Sequence, residues 1–157
     1  MRILIIYATN SSGTRVAAER IHDVLVESGH AVIIKRANAV EPDELGQHDL
    51  VILGSCSWER FAGKQRLEGQ LQQHMFELAG RLQDKHFAMR KFAVFGLGDS
   101  GYTHFCGAVD HLVELVKQLG GKLVIEPLRI DGFFFRQEEN EVRLAKWTHT
   151  LMNATHA

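Results

Sequence analysis

The sequence predicts an α/β fold: a doubly wound, five-stranded parallel sheet with helices on both faces. Three observations carry this expectation. Short runs rich in Ile, Val, Leu and Phe alternate five times with stretches of helical periodicity, the pattern of strands joined by crossover helices. The runs are apolar on consecutive residues, as strands covered on both faces must be. Polar loops rich in glycine and hydroxyl side chains follow the first, third and fourth runs, where such a sheet gathers its ligand-binding edge.

Residues 2–8 (Arg-Ile-Leu-Ile-Ile-Tyr-Ala) form the first strand. A helix over 14–28 follows, with Ala17, Ile21, Val24 and Leu25 on one face and Gly29 as its stop. Residues 31–35 read as the second strand and 41–44 as a turn or short helix start. The third strand is 50–54, and residues 57–66 form a loop longer than the connection needs. Leu67, Leu71, Met75, Leu78 and Leu82 are spaced for one helical face. Residues 91–95 form the fourth strand, and 107–119 a helix that turns Val109, Leu112, Val113 and Val116 inward before Gly120-Gly121. The fifth strand starts at 122–125 and extends toward Ile130; the last helix covers 138–152.

The 157 residues fit one domain, 1–157. A formal net charge of −1 argues against nucleic acid or an anionic membrane as partner. No apolar stretch is long enough to span a bilayer, and Met1-Arg2 leads directly into a strand, so a cytoplasmic location is expected. Cys56 and Cys106 form no CxxC pair and are expected to stay reduced. None of the nine histidines has another three or four positions away, so no helical pair of metal ligands arises and no metal is expected.

The candidate site comes from three loops. Thr9-Asn10-Ser11-Ser12-Gly13-Thr14 places four hydroxyls and a glycine before a helix, where unpaired backbone N–H groups attract an anion. It is neither GxGxxG nor a P-loop. The second loop carries Trp58, which reads alone as core and in context as a platform for an aromatic ligand. The third, glycine-rich loop supplies Tyr102 and Phe105. Two aromatic loops beside an anion cradle outline a slot for a planar ring with a phosphate tail.

At these residues the chain resembles the short-chain flavodoxins. Thr9-x-Ser11-x-x-Thr14 is similar to their phosphate loop, Gly54-Ser55-Cys56-Ser57-Trp58 to their tryptophan loop, and Phe95-Gly96-Leu97-Gly98-Asp99-Ser100-Gly101-Tyr102 to their tyrosine loop. Phe105-Cys106-Gly107 and Leu128-Arg129-Ile130-Asp131-Gly132 extend the likeness over nearly the whole chain. The resemblance implies one FMN, single-electron transfer between redox-partner proteins, and a monomer without a substrate of its own. It implies cofactor contacts from Thr9, Asn10, Ser11, Ser12, Gly13 and Thr14; from Ser55, Cys56, Ser57, Trp58, Glu59 and Arg60; and from Leu97, Gly98, Asp99, Tyr102, Phe105 and Cys106. Trp58 and Tyr102 would flank the ring.

Two departures stand in the tryptophan loop. Glu59 occupies a position where the family commonly has a glycine whose peptide flips on reduction, and Arg60 stands where a carboxylate is usual. A glutamate would resist left-handed backbone geometry, and a cation would favour an anionic reduced ring. Lys64, Arg66 and His104 add to a locally basic rim. Phe133-Phe134-Phe135 reads first as core, with a docking patch as the second reading. An FMN-dependent quinone or other reductase, and a flavin-free interaction module, are the competing functions on the same fold.

Overall fold

The computed structural model describes residues 1–10, 12–98 and 105–155. The strands are β1 (Arg2–Ala8), β2 (Ala31–Arg36), β3 (Leu50–Ala62), β4 (Gln65–Leu71), β5 (Lys91–Gly98), β6 (Lys122–Leu123) and β7 (Leu128–Asp131). The α-helices are α1 (Gly13–Glu27), α2 (Gln73–Arg81), α3 (Gly107–Gln118) and α4 (Gln137–Thr155).

The sheet runs β2-β1-β3-β5-β6, all parallel, with β7 pairing the carboxyl half of β5. Alternation along β1 divides the interior in two. Ile3, Ile5 and Tyr7 face a core shared with Ala17, Ile21 and Leu25 of α1 and Leu144, Trp147 and Leu151 of α4. Leu4, Ile6 and Ala8 face the opposite core, built with Met75 and Leu78 of α2 and Val109, Leu112 and Val116 of α3. The central strands β1 and β5 and the first half of β3 are covered on both faces, which is why their sequences are continuously apolar. The chain leaves β1 toward β2 in one direction and from β3 toward β5 in the other. The gap this reversal opens at the carboxyl ends of β1 and β3 is where ligands of such sheets bind.

The structure corrects three expectations. Residues 57–66 are not a loop: β3 runs on to Ala62, turns at Gly63 (φ 64°) and returns as β4, antiparallel, with a bulge between Trp58 and Arg60. Leu67 and Leu71 belong to β4 rather than to a helix, and α2 begins only at Gln73. Their i, i+4 spacing matched a helix by chance; Gly69 at φ 65° and cross-strand pairing fix the extended course. The fifth strand is two short pieces, β6 and β7, around Pro127, so the five expected strands become seven. Proline has no N–H to give to a ladder.

Candidate functional site

The cleft at the carboxyl ends of β1, β3 and β5 has a volume of about 490 Å³. Of the expected contacts, Thr9, Asn10, Gly13, Thr14, Cys56, Ser57, Trp58, Glu59, Leu97 and Gly98 line it. Ser11, Asp99 and Tyr102 lie outside the described residues, as does His104.

The floor is the start of α1. Ser12 is its N-cap in left-handed geometry (φ 68°) and makes no side-chain capping bond, and the first turn holds no acidic residue. The first-turn N–H groups therefore carry the positive end of the helix dipole without an internal neutraliser. Thr14 is fully buried in that turn, and among the described residues its Oγ1 has no oxygen or nitrogen partner; only the weakly hydrogen-bonding Cys56 thiol stands beside it. A buried hydroxyl without a partner is unfavourable by about 1–3 kcal/mol, and an anionic oxygen seated on the turn would supply the missing acceptor. Gly13 gives the close approach: a Cβ there would meet Leu97 Cδ2 at 2.9 Å.

The loop before α1 is held from the side by a residue the sequence reading missed. Gln72, 4% exposed, donates from Nε2 to Asn10 Oδ1 at 3.0 Å and to Thr9 O at 3.4 Å. Its backbone N–H donates to Ser55 Oγ at 3.1 Å, and its Oε1 accepts from His74 N–H at 2.7 Å. It ties the anion cradle to the start of α2. A lone glutamine after a strand carries no motif, so only the packed structure reveals this role.

One wall is the β3–β4 hairpin. Trp58 stands half exposed on it, and the Glu59 carboxylate accepts a hydrogen bond from Arg66, which also pairs with Glu68 at 3.2 Å. The bulge lies in β4, where Glu68 and Gly69 together oppose Glu59, and the positive φ is taken by Gly69 (65°) and not by Glu59. Arg66, Glu68 and Gly69 join the lining, as do Gly132 and Phe133, Phe134 and Phe135 on the far side. The sequence reading took the three phenylalanines as core or docking patch; the fold places them on the cleft.

Four expected contacts are placed elsewhere. Arg60 turns away: its guanidinium stacks 3.7 Å from the Phe76 ring centroid, and its Nη2 donates to Gln70 Oε1 at 3.3 Å. Alternation along β3 sets Arg60 on the face opposite its neighbour Glu59. Ser55 is fully buried and donates to Cys56 O at 2.9 Å. Phe105 lies on the outer side of the hairpin, in a second depression with Leu67, Gln70 and His111. Cys106 is fully buried with its thiol directed at the carbonyls of Gly96 and Ile130, and its own carbonyl accepts from Arg129 Nη1 at 3.1 Å. Ser12 borders the cradle through its backbone without lining the cleft.

Burial pushes the Cys106 thiol up to about 12. It also raises Cys56, partly offset by the Asn10 backbone and the Thr14 hydroxyl. A folded-state pKa above the unfolded value of about 8.5 adds stability that is complete below that value and lost as pH rises toward about 12. Denaturant unfolding at pH 7.5 and 9.5 should therefore show a larger alkaline loss for the wild type than for Cys106→Ala. Equal losses would contradict the assignment.

A doubly wound sheet with an uncapped helix start and an aromatic wall at its switch point defines a protein that binds a phosphate-bearing planar ligand. The comparisons with known proteins are specific. The family model described as Flavodoxin matches residues 5–147. A flavodoxin of Nitratidesulfovibrio vulgaris (strain Miyazaki F) is 37% identical over 131 residues, 83% of this chain and 84% of that protein. A probable flavodoxin 2 of Bacillus subtilis is 31% identical over 144 residues, 90% of this chain and 89% of its own. The crystal structure of oxidised Flavodoxin 2 from Bacillus cereus superposes with a TM-score of 0.83 at 30% identity, covering 99% of this chain and 98% of that one. The chain belongs to the flavodoxin family, and its strand order about β1 and β3 is the one for which flavodoxins are themselves a standard example. It is thus an FMN-binding electron-transfer protein.

Proposed function

We propose that this chain carries single electrons between redox-partner proteins and turns over no substrate of its own, with the cleft residues named above holding one FMN non-covalently. The observation that carries the reading is the Thr14 hydroxyl, buried on an uncapped helix start with no oxygen or nitrogen partner among the described residues. That is a site built for an anionic oxygen the protein itself does not supply.

FMN supplies the one-electron chemistry when bound. The protein's part is to bind, orient and exclude water. The first-turn N–H groups and Thr14 Oγ1 take the phosphate, and Gly13 lets the backbone close on it. Trp58 would offer its ring from the hairpin, and Leu97 and Gly98 at the end of β5 line the cleft beside the cradle, with Leu97 against Gly13. The Arg66 cation sits between Glu59 and Glu68 on the hairpin, so this part of the rim sets two carboxylates against one guanidinium.

Partner complexes are transient, and a net charge of −1 leaves little long-range steering to salt. The protein works as a monomer in the cytoplasm as one domain, without nucleic acid or membrane. Among the described residues no helix is long and apolar enough to cross a bilayer.

The test is anaerobic titration of FMN-loaded protein with a chemical reductant, followed by visible absorption. Two resolved one-electron steps are expected. Direct two-electron reduction with rapid NAD(P)H–quinone turnover would favour the reductase reading.

A further inference from the structure

We propose that Phe134 is a cofactor-binding residue that covers the phosphate end of the cleft, a role outside the three loops that resemble the family. The proposal rests on the FMN reading above.

Phe134 lies in the short 3₁₀ turn Phe133–Arg136 between β7 and α4. That turn is fixed from several sides. Phe133 is buried in the core, and its ring meets the Phe134 ring edge-on, with centroids 5.3 Å apart at 78°. The N–H groups of Phe135 and Arg136 donate to Gly132 O at 2.9 and 3.2 Å. Asn140, 3% exposed, donates from Nδ2 to Asp131 O at 3.2 Å and to Phe133 O at 3.5 Å. Gly132 itself donates to Gly98 O at 3.0 Å, which joins the turn to the end of β5. Phe134 is therefore presented from a constrained backbone.

Its position is the decisive point. A Cβ on Gly13 would lie 3.5 Å from Phe134 Cε2, so the ring stands over the first residue of α1. The same turn of α1 carries the buried Thr14 hydroxyl, and both residues line the same cleft. Yet Phe134 is 52% exposed. A large apolar ring held half in water beside an anion cradle is unfavourable until something covers it. A phosphate-bearing chain seated on Gly13 and Thr14 would do so.

The physical consequence concerns the phosphate rather than the ring system. An apolar cover lowers the local dielectric and keeps water from competing for the N–H and O–H donors, which strengthens each charged hydrogen bond. Trp58, by contrast, stands on the hairpin wall. Removing Phe134 should therefore weaken FMN while leaving riboflavin, which has no phosphate, nearly unaffected.

The experiment measures dissociation constants of FMN and of riboflavin by quenching of flavin fluorescence, for wild type, Phe134→Ala and Phe134→Leu. For Phe134→Ala an approximately tenfold weaker FMN affinity is expected with less than twofold change for riboflavin. Phe134→Leu, which keeps an apolar cover, should restore most of the discrimination. Equal weakening of both flavins, or no weakening of FMN, overturns the proposal, because a merely structural ring would not distinguish them. A wild-type protein that binds neither flavin overturns the FMN reading itself and this inference with it.

Discussion

Replacing Thr14 by Val should move stability and cofactor affinity in opposite directions. Valine matches threonine in shape and removes only the hydroxyl. Thr14 Oγ1 is buried with no oxygen or nitrogen partner among the described residues, only the weakly bonding Cys56 thiol beside it. Deleting such a group relieves a desolvation penalty of about 1–3 kcal/mol. The apoprotein should therefore gain about 1–2 kcal/mol, read as a higher midpoint in urea at unchanged slope. In the FMN complex the same hydroxyl would donate to a charged oxygen, a bond of about 1.5–3 kcal/mol. FMN affinity should fall about tenfold to a hundredfold, with riboflavin little changed. Calorimetric titration with both flavins, beside urea unfolding of the apoprotein, gives both signs in one preparation. Loss of stability without loss of FMN affinity would show that Thr14 is an ordinary buried threonine.

Replacing Gly107 by Ala should be the most damaging single methyl group near the cleft. Gly107 opens α3 against the hairpin, and a Cβ there would collide with the carbonyl oxygen of Gly69 and lie 2.7 Å from its Cα. Both are backbone atoms, so no side chain can swing aside. Gly69 is at φ 65° within β4, and Ala108 N–H donates to Ser57 Oγ at 3.1 Å, so hairpin and helix meet along a close seam. Overpacking of this kind costs about 3 kcal/mol, which in a chain of this size lowers the thermal midpoint by about 6–12 °C. The hairpin carries Trp58 and Glu59, so FMN affinity should fall together with stability. Gly80→Ala is the control, since a Cβ on Gly80 meets nothing within 4 Å. It should leave FMN affinity near the wild-type value and raise stability by about 0.5–1 kcal/mol, as an exposed helical Gly→Ala does. A Gly107→Ala protein as stable as wild type would mean that the seam opens freely.

The sheet, its order of crossovers and the location of its ligand edge were legible in the sequence. Runs such as Ile3-Leu4-Ile5-Ile6 and Leu50-Val51-Ile52-Leu53 have no polar face, and only a strand between two helical layers can bury them. The anion cradle was equally legible, because a dense hydroxyl run before a helix has a local chemical meaning that packing does not alter. Thr9, Asn10, Gly13 and Thr14 of that run line the cleft, beside six expected residues from β3 and β5.

What only the tertiary structure decided are the matters set by neighbours distant in sequence. The β3–β4 hairpin exists because residues 57–62 pair with 65–71, and that pairing overrides a spacing at Leu67 and Leu71 that suits a helix. Arg60 lies on the Phe76 ring rather than toward the cleft, a contact between β3 and α2 that only the packed fold creates. Gln72 and Phe134 entered the site through folding alone. One reaches across to Asn10 and the other stands over Gly13, about sixty and one hundred and twenty positions away in the chain. A sequence shows what each segment buries and which segments carry donors. Which side chains from separate segments meet at one point depends on register, bulges and the fit of helices onto the sheet, and those are properties of the packed whole.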